Sequence, residues 1–426
     1  MSNFIQRAVL ITVAIVIATV GVVFTRSVIA APLAQSGGNI EVCNWLDCKT
    51  AAISYSQDDA ANINPTLPDT NSCKGPLENA GFRGTFFYNG DDSSSPTWLA
   101  ALTSAGHEVG AHMADHGLNC ALPPSCAPDC TPASLMQITY TITDVNNFRQ
   151  IQIDPNVAAI ESNTNQPVVA LAYSCGNTDP ARMNAAQAYM LGVRGYYDPP
   201  PYGSNLYWLY DVNTPTPAEL MNLNSDTYFS QSLVDKAVSE GSWEIITIHD
   251  YCEGIDVLQT ISPTVWIAPI GDVLKYIRVR NATVITGYAS AGQTISFNAV
   301  HTLTTFTRQQ LDGTPLLPIV FDNPVTLRAP IPSTANILSV QANGVGISST
   351  VGTISGTRYV WFSLPLTTTQ HIVITTDTPL AVNLSHLSAA SSNSDGALAL
   401  FVAGSAAAGA FLLWKRQQRR RRLQRE

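Results

Sequence analysis

Two histidines four residues apart, His112 and His116, close the stretch Gly106-His107-Glu108-Val109-Gly110-Ala111-His112-Met113-Ala114-Asp115-His116. Two adjacent carboxylates, Asp58 and Asp59, end the short run Ala52-Ile53-Ser54-Tyr55-Ser56-Gln57 upstream of it. Imidazoles at i and i+4 share one face of a helical turn and can grip a single divalent ion. Together the four residues form a candidate 2-His-1-carboxylate metal site with a spare carboxylate to act as base, a donor set suited to hydrolysis. The zinc-protease pattern fails by one residue, because His107-Glu108 would need its second histidine one position before His112.

Something must deliver those acids and imidazoles to one place. Between residues 50 and 286 short apolar runs alternate with amphipathic ones. Strands are expected over 52–56, 84–88, 107–111, 168–174, 193–197, 244–248 and 284–286. Helical patterns are expected over 97–105, 132–149, 180–191, 232–239 and 265–279. This alternation indicates parallel βα units, either a barrel or a doubly wound sheet, and seven strands favour a barrel. In a barrel, acids at strand C-termini face the site. Residues 289–384 change texture to Thr-, Val-, Ile-, Pro- and Gly-rich alternating runs without helical period, an all-β unit read as a sandwich. Its His301 and His371 stand alone and are read as packed or solvated.

The ends of the chain read as addresses. Residues 1–30, with Arg7 before an apolar run and small residues after it, form an export signal or an anchor. Residues 385–395 are a Ser/Asn/Ala-rich linker. Residues 396–414 carry no charge and would span roughly 28 Å as a helix, enough for a bilayer core. The tail, 415–426, is rich in arginine, which places it in the cytoplasm and the preceding chain outside. A sorting tail removed after export has the same features. Without the signal and the tail, 13 basic residues face 30 acidic ones, about −17. That excludes nucleic acid and other polyanions as partners.

Eight cysteines, all between Cys43 and Cys252, fit an oxidising compartment and disulfides. Cys120, Cys126 and Cys130 crowd one loop, where a zinc knuckle is the alternative to bridges. Cys175 and Cys252 both follow expected strands and fall on the rim of the site. A bridge between them, or from them to the Cys120–Cys130 loop, is expected to stiffen it.

With these residues in hand, 50–286 resembles the polysaccharide deacetylases, the NodB-homology family of metal-dependent carbohydrate esterases. Asp58-Asp59 stands where that family has Thr-Phe-Asp-Asp-Gly. Gly84-Thr85-Phe86-Phe87 is similar to its Ala-Thr-Phe-Phe strand. Residues 106–116 resemble Gly-His-Glu-x-Gly-x-His-(Ser/Thr)-x-x-His, and Ile245-Ile246-Thr247-Ile248-His249-Asp250 resembles its last strand. The resemblance implies a distorted (β/α)7-type barrel, here followed by the small all-β unit, and removal of N- or O-acetyl groups from a glycan. It assigns one metal, most often zinc, to Asp59, His112 and His116, the base to Asp58 and the acid to His249. The organisation implied is a barrel over 40–287, a β domain over 289–384, a linker and a single membrane span. That makes an extracellular enzyme tethered to the membrane, or held at the cell surface after tail processing.

The departures are specific. Gln57 and Ala60 replace Phe and Gly around the aspartates, and Met113 replaces the hydroxyl residue beside His112. The family's Arg-Pro-Pro-Tyr becomes Ala172-Tyr173-Ser174-Cys175-Gly176, so the arginine that orients the base is gone and Cys175 takes the tyrosine's place. Arg194, in Val193-Arg194-Gly195-Tyr196, is either the replacement cation or a surface arginine. Asp211 is the candidate acid partner of His249. The rival reading is a carbohydrate-binding or adhesion protein that keeps an inactive barrel.

Overall fold

The computed structural model describes residues 40–59, 72–90, 96–114, 145–174, 180–195, 220–225, 229–249 and 251–378. The chain opens with β1 (Glu41–Val42) and then builds seven parallel strands. These are β2 (Ala51–Gln57), β3 (Thr85–Tyr88), β4 (Glu108–Ala111), β5 (Ala170–Ala172), β6 (Gly192–Arg194), β7 (Trp243–Ile248) and β8 (Val265–Ile267). Helices α1 (Lys74–Asn79), α2 (Pro96–Ser104), α3 (Asp154–Thr164), α4 (Pro180–Gln187), α5 (Gln231–Glu240), α6 (Ile255–Ile261) and α7 (Ile270–Ala282) lie between and after them. The sheet order is β6-β5-β4-β3-β2-β7, with β8 added beside the first half of β2. Among the described residues β6 and β7 do not pair, so the sheet is a half-barrel rather than a closed one.

Burial explains the pattern of these strands. All seven residues of β2 and all six of β7 are buried, as parallel strands covered on both faces must be. Their polar side chains are satisfied internally: the Ser56 hydroxyl donates to Ile246 O at 3.0 Å, and Trp243 Nε1 donates to Ser54 Oγ at 3.1 Å.

Beyond α7 the chain turns antiparallel. One sheet runs β13 (Val345–Gly346), β12 (Ile337–Ala342), β16 (Gln370–Thr376), β10 (Thr294–His301), β9 (Thr283–Ala291). The other runs β1, β11 (Val325–Pro330), β15 (Thr357–Leu364), β14 (Thr350–Ile354). Here burial alternates strictly, as along β10, because each sheet hides one face only.

Several expected elements are corrected. Residues 284–286 are not a strand of the parallel sheet: they belong to β9 and pair antiparallel with β10. The seventh parallel strand is β8, from a stretch whose apolar residues suggested one helix over 265–279; Pro269 separates strand from helix. Helices α1, α3 and α6 were not foreseen. The expected helix over 132–149 is described only from Val145–Phe148, which runs through a π-helical turn, Arg149–Ile153, into α3.

His301 and His371 fit their expected reading, the first buried against Phe321 O at 2.9 Å and the second exposed beside Asn298. Among the described residues no helix is long and apolar enough to cross a membrane. The expected signal, linker, 396–414 span and basic tail lie outside the described residues.

The antiparallel unit is fastened to the parallel sheet. Arg308 pairs with Glu161 of α3 at 2.5 Å, and both side chains are buried. Arg308 also donates to Val168 O at 2.9 Å and Tyr189 O at 3.2 Å, while Glu161 accepts from Val168 N and Leu317 N. At the other end β1 pairs with β11, and Tyr276 of α7 donates to Cys43 O at 2.9 Å.

Glu108 sets the base of β4. Its Oε2 accepts from the Thr85 hydroxyl at 2.7 Å and from Gly271 N, in the first turn of α7, at 2.8 Å. Burial pushes this carboxyl up to about 7, against the pull of those two donors. The folded state therefore keeps a proton that the unfolded chain has released. Stability should fall as pH rises from about 4.5 to about 7. Glu108→Gln is expected to flatten that decline, measured as the urea midpoint at pH 5 and pH 7; equal slopes in variant and parent would refute the assignment.

Candidate active site

Strand C-termini converge on one carboxylate. Asp58 follows β2 with its backbone N–H on Ile248 O at 2.9 Å, and its side chain is only 4% exposed. Arg194, the last residue of β6 and fully buried, hydrogen-bonds both Asp58 oxygens through Nη2, at 2.5 Å to Oδ2. Its Nη1 reaches Gly195 O and Ser225 Oγ, each at 3.2 Å, and its guanidinium lies 5.0 Å from the centre of the Phe87 ring. Arg194 is therefore buried against Asp58 and is not a surface arginine. Arg194 pairs in register with Ala172, the position where the expected arginine is missing, so the charge comes from one strand over.

Two imidazoles face the same carboxylate. His112 Nε2 stands 3.8 Å from Asp58 Oδ2 and 3.8 Å from Asp59 Oδ1, and His249 Nε2 stands 3.7 Å from Asp58 Oδ2. Burial alone would raise the Asp58 pKa, but Arg194, then His112 and His249, outweigh it and hold the carboxyl below the usual carboxylate range. Asp58 is thus an ionised carboxylate through the neutral range.

The supports of each group are local. The His112 backbone N–H lies between Tyr88 O at 2.9 Å and Asn156 Oδ1 at 3.0 Å, and its carbonyl accepts from Ser174 Oγ at 3.0 Å. Asn156, fully buried on α3, also donates to Tyr88 O and so clamps the ends of β3 and β4. Gly110 lets Phe87 pass: a Cβ there would meet that ring at 2.5 Å. Asn89 Nδ2 donates to Asp59 Oδ1 at 2.6 Å. Asp59 and Met113 both hold left-handed backbone, φ 53° and φ 70°. That conformation is rare for methionine, and such strain gathers where a site over-determines the chain.

His249 is half-exposed, and three ties hold the loop it begins. Gln57 Nε2 donates to His249 O at 3.1 Å, Tyr55 Oη donates to Glu253 O at 3.1 Å, and Cys252 is disulfide-bonded to Cys73. Gln57 Oε1 meanwhile accepts from Cys73 N at 2.9 Å, joining the first and third ties. This corrects the expected bridge: Cys252 does not bond Cys175 or the Cys120–Cys130 loop, because Cys73, just before α1 and held by Gln57 at the end of β2, meets it instead. A second disulfide joins Cys43 and Cys48. His116, Cys175, Asp211 and the Cys120–Cys130 loop lie outside the described residues.

A divalent ion can be tested against this donor set. A carbonyl can only accept, so the contact of His112 Nδ1 with Ala172 O at 3.0 Å fixes the proton on Nδ1. A ring that donates through Nδ1 turns its Nε2 toward the two carboxylates, 3.8 Å from Asp58 Oδ2 and 3.8 Å from Asp59 Oδ1. An imidazole anchored through its other nitrogen is the usual posture of a metal ligand. Among the described residues no three side chains form a ligating cluster, and the third expected ligand, His116, lies outside them.

Asn89, Asn156 and Ser225 were not anticipated. Asn89 directly follows a strand, where the strand-end rule could have found it. Asn156 and Ser225 give no signal without the fold.

No protein-family model and no curated protein matches the chain. Solved structures similar to it are family 4 carbohydrate esterases. One is the esterase domain of a xylanase from the hindgut metagenome of Trinervitermes trinervoides, 13% identical, covering 53% of this chain and 90% of its own, TM-score 0.30. Another is an acetyl xylan esterase from Clostridium thermocellum in complex with cobalt, 16% identical over 53% and 91%, TM-score 0.27. A third is a pseudoenzyme from Bacillus anthracis, 14% identical over 53% and 65%, TM-score 0.31. Scores this low carry no functional argument.

Arg194→Gln should strip Asp58 of its largest stabilising charge. The acid limb of any rate–pH profile should then move upward, and the protein should lose about 3–5 kcal/mol of stability. Differential scanning and a pH series check both; an unmoved acid limb in folded variant would show that Arg194 does not act on the base.

Proposed function

We propose that the chain is a metal-dependent hydrolase that removes acetyl groups from a polysaccharide at the outer face of the membrane. The observation that carries this is Asp58, buried and held ionised by Arg194, within 4 Å of both His112 and His249. A buried carboxylate kept charged beside two imidazoles is an acid–base arrangement, and its position at strand C-termini is where a half-barrel exposes chemistry.

Asp59, His112 and His116 would hold the ion, zinc being the metal best suited to an imidazole–carboxylate set. When bound, it would supply a Lewis acid for the acetyl carbonyl and lower the pKa of water in the site. Asp58 takes the proton of the attacking water. Arg194 keeps its carboxylate oriented and ionised, and remains charged when Asp58 takes the proton. His249, on the exposed side of Asp58, is placed to return a proton to the leaving amine or alkoxide. Its loop needs an unmoving frame for that role, which Gln57, Tyr55 and the Cys73–Cys252 bridge supply. The export signal and the 396–414 span, read from sequence, support the location.

Acetate release from acetylated chito-oligosaccharide, acetyl xylan and peptidoglycan, with and without chelator, tests the reading. Chelator-sensitive release from at least one is expected. Asp58→Asn should retain bound metal while losing on the order of 10²-fold or more in rate. His116→Ala should lose the metal as well. No release by metal-loaded protein from any of the three would leave the inactive carbohydrate-binding reading in its place.

A further inference from the structure

At the opposite end of the parallel sheet, a cleft of about 440 Å³ opens between the parallel sheet and the segment that precedes β11. Met190 and Met221 from the parallel unit and Phe306 and Phe321 from the segment before β11 line it, with Arg278 of α7 and the threonines at 302, 304 and 305. Met190 lies just before β6 begins, whereas Arg194 ends that strand at the Asp58 site. The two sites are therefore separated by the length of β6.

Arg278 is the unusual member. Among the described residues it makes no ion pair and no hydrogen bond, and its Nε is buried without a partner. Burial lowers its pKa with no carboxylate acting against that effect. Glu161 is taken by Arg308, and Asp272, on the same helix, accepts from Asn323. Asp322, next to Phe321 in sequence, makes no ion pair with Arg278. A guanidinium that has surrendered part of its hydration to an apolar cleft, with no counter-charge, is a site for an anion. Methionine and phenylalanine walls favour a hydrocarbon body over a sugar, since thioethers adapt to flexible chains. The volume falls within the range of ligand pockets, roughly 300–1,000 Å³.

We propose that this cleft binds an amphipathic monocarboxylate, its carboxylate on Arg278 and its hydrocarbon chain between the methionines and the phenylalanines. The proposal does not depend on the hydrolase reading, because no residue of the Asp58 site takes part. Occupancy would bridge α7, the β5–β6 connection and the 302–321 segment, and so stabilise the junction of the two units by mass action.

Titration calorimetry on the full chain, with decanoate below its micellar concentration, tests the idea against decanol and acetate. Decanoate should bind at one site per chain, and decanol and acetate about tenfold or more weaker. Arg278→Gln should weaken decanoate about tenfold or more while leaving the ligand-free unfolding midpoint near that of the parent, because it removes an uncompensated charge. Arg278→Lys should keep the preference for decanoate over decanol. No decanoate binding, equal affinity for decanoate and decanol, or unchanged decanoate affinity in Arg278→Gln would each overturn the assignment.

Discussion

The contact between Arg194 and Asp58 constrains the whole parallel sheet. In the strand order β6-β5-β4-β3-β2 the two residues sit four strands apart, which in a flat sheet means roughly 19 Å. They nevertheless share hydrogen bonds through both carboxylate oxygens. The sheet must curl until its first and fifth strands nearly meet, and the ion pair is the chord of that curve. Small residues permit the curl: Gly110 admits the Phe87 ring, and Ala172 leaves open the register position beside Arg194. Neither charge could stay in such a buried place alone, since desolvation would neutralise the acid or expel the base.

The same sheet treats a second buried carboxyl in the opposite way. Glu108 enters β4 at its N-terminal end, where hydroxyl and amide donors meet it and, among the described residues, no cation pairs with it, and burial raises it. Asp58 leaves β2 at the C-terminal end with a guanidinium beside it, and is lowered. One end of the sheet holds a proton and caps a helix, while the other holds a charge and gathers imidazoles. Polarity along the strands separates structural acids from the candidate chemical one.

Much of this was legible in the sequence wherever a local pattern sufficed. The fully buried runs of β2 and β7 and the alternation in β10, β15 and β16 each have a period of their own. Asp58, His112 and His249 lie at strand ends because apolar runs stop just before them. Nothing local distinguishes Val265–Ile267 from the start of a helix; only its pairing with β2 makes it a strand. Residues 284–286 looked like a seventh parallel strand because a short apolar run carries no direction. Gln57 read as a lost phenylalanine, yet its amide ties His249 to Cys73, a gain that exists only once β7 lies beside β2. Disulfide partners depend on the same long-range placement, so Cys252 could not be matched to Cys73 from rim position alone.

The route of the chain between its two units has a mechanical meaning. The strand that precedes the parallel sheet, β1, lies within the same antiparallel layer as β11, and the helix that ends the sheet, α7, runs directly into β9. The polypeptide thus enters and leaves the half-barrel through the antiparallel unit, and Arg308 adds a third point of attachment. A body held by one strand swivels more freely than one also held by a helix and a buried ion pair. The strands that carry Asp58 and the antiparallel unit are thus joined through strand, helix and buried charge, so turning one would turn the other.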